Sequence, residues 1–74
     1  MSCTQARELA FQRGIPVVVP NEWGRFDYAC PGGLTAHQDT LTEVRWDLAQ
    51  HGFNSYLIIE PETIKEQTLQ GVLS

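Results

Sequence analysis

The chain contains no stretch of about 18 consecutive apolar residues, the length a helix needs to cross a bilayer, so no membrane partner is expected of it. The residues after Met1 lack the basic segment and apolar core of a secretory leader, and a cytoplasmic protein is expected. Cations are scarce. Arg7, Arg13, Arg25, Arg45 and Lys65 stand singly against nine acidic residues, for a formal net charge of −4. Direct binding to nucleic acid draws on clustered Lys and Arg, and is not expected. Cysteine occurs only at positions 3 and 30. In a reducing compartment the two are read as free thiols, with a Cys3–Cys30 bridge as the alternative. Repeats, low-complexity tracts and linkers are missing too. The 74 residues make one small domain, 1–74, with a core that has little stability to spare.

What is present reads as alternating elements. Ser2 or Thr4 can cap a first helix that runs to about Arg13 and stops at Gly14. Cys3, Ala6, Leu9 and Ala10 form its apolar stripe, and Phe11 falls off it. Ile15 to Val19 is a β-branched run closed by Pro20, a short strand that starts late or lies at an edge because Pro16 cannot donate to a ladder. Asn21-Glu22-Trp23-Gly24 is a turn, and a second strand runs from about Arg25 to Cys30, completing a hairpin. Pro31-Gly32-Gly33 ends that strand, and Leu34 to Asp39 reads as a loop or a single turn. Thr40-Leu41-Thr42-Glu43 fits a capping box that starts a second helix, ended by His51-Gly52. Phe53 to Ile59 is the strongest strand. Pro61 and its flanking carboxylates look like the start of a third helix, with Ile64, Leu69, Val72 and Leu73 inward and Gly71 weakening its last turn.

The expected fold is α+β: a small two-layer sandwich of order α-β-β-α-β-α, with a three-stranded, largely antiparallel sheet covered by helices on one face. The apolar run Tyr56 to Ile59 needs cover on both faces, so a homodimer is expected to supply the second.

Chemistry-bearing residues are few, and neither catalytic nor metal-ligating residues nor a cofactor are assigned. Cys30, His37 and Asp39 fall close in sequence, but nucleophilic triads are assembled by the fold, and Cys30 shares a strand face with Phe26 and Tyr28. Cys3, Cys30, His37 and His51 lack the paired spacing of zinc ligands. Pro31-Gly32-Gly33 lacks the rest of a phosphate-binding loop and reads as a turn.

The second helix is more informative. Leu41, Val44 and Leu48 fall on one stripe, and at about 100° per residue Trp46 points roughly opposite, beside Glu43, Asp47 and Gln50. Asp39, Glu43 and Asp47 recur every fourth residue; the cap engages Glu43, and Asp47 can pair with His51. An aromatic among carboxylates fits a basic partner. The candidate partner-binding residues are therefore Trp46, Glu43, Asp47, Gln50, Trp23 and Asp39, with Trp23, Tyr28 and Trp46 as one candidate apolar patch. The expected function is a non-enzymatic protein-interaction module presenting an acidic-aromatic helix face to a larger protein with a basic surface. Size and charge invite an analogy with phage- or mobile-element-borne inhibitors of nucleic-acid-handling host proteins. The alternative is a small ligand-binding domain or thiol enzyme using Cys30 and His37.

Overall fold

A five-stranded mixed sheet with one helix on each face is the architecture seen in the computed structural model, which describes residues 3–60 and 63–69. The order is α1 (Cys3–Arg13), β1 (Val17–Pro20), β2 (Phe26–Ala29), β3 (Thr35–Gln38), α2 (Leu41–Gln50), β4 (Ser55–Ile59) and β5 (Ile64–Thr68). Across the sheet the strands run β3-β2-β1-β4-β5. Among the described residues only the β1/β4 pairing is parallel. The α+β class holds, but the three-stranded sheet, the element order and the two-layer arrangement do not. No helix among the described residues is long and apolar enough to cross a membrane.

The two layers become three because the apolar strand residues alternate. Val17, Ala29 and Leu57 pack with Ala6 and Ala10 of α1. Val18, Tyr28, Cys30 and Tyr56 pack with Val44 and Leu48 of α2. A strand sends successive side chains to opposite faces, so adjacent buried positions such as Val17 and Val18 require cover on both sides. The same alternation buries Tyr56 and Leu57 within a single chain, so the need for cover that motivated a dimer is met internally. On α1, Ala6 and Ala10 face the sheet and Phe11 points to solvent.

Two segments depart from the sequence reading. Leu34–Asp39 contains β3, whose register pairs Tyr28 with Ala36 and Asp27 with His37. The intervening turn is held by the Gly33 amide donating to the Cys30 carbonyl at 2.9 Å, and Gly33 has φ +97°, a conformation that favours glycine. Ile64 to Thr68 forms β5 rather than a helix. Paired amide–carbonyl bonds join Glu60 and Thr63, and β5 closes the open edge of β4. Lys65, Glu66 and Gln67 have fair intrinsic helix propensity, and the strand pairing overrides it. Leu69 is buried under α2 instead of lining a third helix. Ser2, Pro61, Glu62, Gly71, Val72 and Leu73 lie outside the described residues.

Helix α2 is well defined at both ends. The Thr40 hydroxyl accepts from the Glu43 amide at 3.2 Å, which satisfies one exposed donor. At the other end, the Phe53 amide donates to the Leu48 carbonyl and the Gly52 amide to the Ala49 carbonyl. With Gly52 at φ +88°, this is a Schellman termination, and Phe53 joins Leu48 in the core cluster as that motif favours.

Candidate interaction surface

The inward stripe of α2 divides its remaining residues into two flanks and an outer face. Val44 and Leu48 are fully buried, and Leu41 is half-buried between them and the sheet end. By helix geometry, Arg45 and Asp47 stand roughly 70–90° either side of that stripe, while Thr42, Glu43, Trp46 and Gln50 face outward. Trp46 is 47% exposed, a large value for so apolar a side chain. Glu43 and Gln50 are exposed beside it, one turn away on either side.

Asp47 does not belong to this outer face. Its Oδ2 accepts from the Tyr28 hydroxyl at 3.0 Å and also from the Gln38 side-chain amide. The carboxylate thus ties α2 to β2 and β3, and its expected partner His51 is not the one it takes. Tyr28 is only 5% exposed and its phenol is pushed up to about 12. Burial is the main cause, followed by the hydrogen bond to Asp47, the Asp47 charge and the Cys30 charge. A neutral phenol donating to a carboxylate is the stable state of this pair. Tyr28 is therefore core and cannot join Trp23 and Trp46 in a surface patch.

Arg45 occupies the other flank. Its Nη2 reaches the Thr68 carbonyl at 3.4 Å, and its positive charge acts on Tyr56, opposing the burial that raises the Tyr56 phenol. Its buried Nε has no hydrogen-bond partner among the described residues. The guanidinium is thus turned toward β5 and away from the outer face. Gln38 and Arg45 have no site role in the sequence reading, and Tyr28 enters it as a strand-face and surface-patch residue, not as a partner of Asp47. The available signal was angular: positions 45 and 47 sit at the edges of the apolar stripe, where long polar side chains reach down to a sheet.

Asp39 lies just before the cap and pairs with Arg25 at 3.1 Å, both side chains well exposed. This ion pair joins the entry of α2 to the β1–β2 turn that carries Trp23. The Asn21 side-chain oxygen accepts from the Trp23 and Arg25 amides, each at 2.9 Å, which shapes that turn. Trp23 is 78% exposed. Of the six candidate residues, Glu43, Trp46 and Gln50 share one exposed face, Trp23 and Asp39 sit at the sheet end near its start, and Asp47 is a tie to the sheet.

The side chains of the thiol alternative are kept apart. Cys30 is buried with Val18, Val44 and Leu48, is a free thiol, and burial raises its pKa. His37 pairs across from Asp27, one residue out of phase with the Tyr28–Ala36 pair that faces α2. Cys30 and His37 therefore project from opposite faces of the sheet, and no dyad forms. No group of three or more His, Cys, Asp and Glu side chains among the described residues is placed to hold a metal ion. The Gly33 amide is spent inside its own turn and is not offered to an anion.

A third exposed aromatic stands on the opposite face of the sheet. Phe11 is 76% exposed on α1, over a shallow open depression lined by Thr4, Arg7, Glu8 and Gln12.

No family model, curated protein or solved structure matches the chain.

Proposed function

We propose that the protein is a non-enzymatic interaction module that docks the outer face of α2 onto a larger protein with a basic surface. The observation that carries this reading is the half-exposed indole of Trp46 on a helix whose other side is fully buried. Well-packed helices of small domains bring their apolar side chains inward. An outward tryptophan sheds its hydration cost only when a partner covers it, and such residues dominate binding energy at interfaces. Glu43 flanks it and gives the contact its charge preference. Trp23 and Asp39, joined to the start of α2 through Arg25, supply the rim.

The outer face carries one carboxylate, Glu43, unpaired among the described residues, and the chain's net charge of −4 suits a cationic surface of the kind that otherwise holds phosphate. We therefore place the protein in the cytoplasm as an inhibitor of a nucleic-acid-handling host protein, of phage or mobile-element type. That finer assignment draws on size and charge alone. A second copy of the chain is the other occupant to be distinguished.

A photo-crosslinking residue placed at Gln50, expressed in the native cell, tests the reading. It should capture one protein with a basic surface, and Trp46→Ala should abolish the capture. The same group at Gln12 on α1 should not capture it. Capture from Gln12 alone would move the interface to the Phe11 side, and capture only of the chain itself would make the face a self-association surface.

A further inference from the structure

Resting on that reading, we propose that the side chain Trp46 receives is an arginine of the partner, stacked flat on the indole with its fork on the Glu43 carboxylate. Glu43 and Trp46 are three residues apart on one helix, so their side chains are neighbours, with Cβ atoms about 5–6 Å apart. Gln50, one turn further on, shares the same exposed face. An indole face next to a carboxylate is a site for a flat cation, because ring quadrupole and charge attract the same group.

The protein's own cations leave this site open. Arg25 is held by Asp39, and Lys65 by Glu60 at 3.4 Å. Arg45 is turned toward the Thr68 carbonyl. Arg7 and Arg13 belong to α1, on the far face of the sheet. No ion pair to Glu43 forms among the described residues, and its contribution to the helix cap is made by its backbone amide, not its carboxylate. An apolar occupant fits less well, since covering Trp46 with it would strip water from Glu43 without replacing the lost hydration. Lysine supplies charge but neither the plane that stacks nor the fork that pairs.

The test uses the isotope-labelled full chain and two capped peptides, tri-arginine and tri-lysine, titrated at low salt while the two indole N–H signals are followed. The Trp46 signal should shift saturably with tri-arginine while the Trp23 signal stays put. Tri-lysine should bind about threefold or more weakly, the margin that stacking of a guanidinium gives at an exposed ring. Glu43→Gln, which leaves the cap amide in place, should weaken tri-arginine about threefold and narrow the gap to tri-lysine. Equal response to both peptides, a response at Trp23 alone, or none at Trp46 would overturn the arginine assignment. If those failures came with intact Trp46-dependent crosslinking from Gln50, the interaction face would stand and only its arginine ligand would fall.

Discussion

Removing the Asp47 carboxylate should unseat α2 from the sheet. In Asp47→Ala, the Tyr28 hydroxyl and the Gln38 amide both lose their acceptor. A hydrogen bond to a charged group contributes about 1.5–3 kcal/mol net when buried, and these are only part-buried, so the lower end applies to each. The Tyr28 hydroxyl, on a side chain 5% exposed, also keeps little access to water once orphaned. Because the two bonds share one carboxylate they will not add, and a total loss of about 2–4 kcal/mol is expected. Total stability for a chain of this length is on the order of 4–11 kcal/mol, so the loss is a large share of it. Tyr28→Phe removes the donor but leaves Asp47 on Gln38, and should cost about 1 kcal/mol. The assay is urea denaturation of the two single variants and the double, read as midpoint shifts at constant slope. A coupling energy of about 1–2 kcal/mol between the positions is expected. Additive effects would show that the Tyr28–Asp47 bond does not hold in solution, leaving the Gln38 amide as the carboxylate's tie to the sheet. The same experiment bears on function. A charge reversal at Asp47 perturbs folding, so Glu43, whose carboxylate carries no structural bond among the described residues, is the cleaner probe of docking.

Leu48→Ala should destabilise by about 2–5 kcal/mol by opening a cavity between α2 and the sheet; an unchanged melting curve would contradict its complete burial. Stability should fall at alkaline pH. Tyr28 titrates near 10 when unfolded and at about 12 when folded, so its contribution is complete below pH 10 and is lost as pH rises toward 12. Tyr28→Phe should flatten that decline in a pH series of urea midpoints, leaving the smaller parts that the upward-shifted Cys30 and Tyr56 contribute in the same direction. In a Cys3→Ser chain, Cys30 should react with a thiol reagent only as fast as the domain opens, and a fast native-state reaction would revive the thiol reading.

The extent to which the fold could be read from sequence differed by element. The Thr40 cap, the Leu41-Val44-Leu48 stripe and the Gly52 stop are local signals, each set by residues within one turn, and α2 appears where they put it. The outward position of Trp46 follows from the same periodicity. Strands β3 and β5 have no local signal of comparable strength. Thr35-Ala36-His37-Gln38 shows little apolar alternation, and Ile64 to Thr68 is mostly helix-forming. Their conformation is decided by neighbours: Phe26–Ala29 offers a free edge to one and Ser55–Ile59 to the other. The third layer was hidden for a related reason. Val17 and Val18 look alike in sequence, and only the presence of a helix on each face explains why both are dry. Asp47 was misplaced by about a quarter turn of helix. That small angular error separates a solvated carboxylate from one reached by a tyrosine on the sheet.

On the proposed reading, the outer face of α2 exists for a partner and not for the fold. Its most direct test is the pair of numbers obtained for Trp46→Ala: the affinity for the protein captured from Gln50, and the melting temperature of the free domain. Binding should weaken by about 2 kcal/mol or more with the melting temperature nearly unchanged. A melting temperature that collapses while the residual folded protein binds normally would make Trp46 a structural residue and contradict the claim.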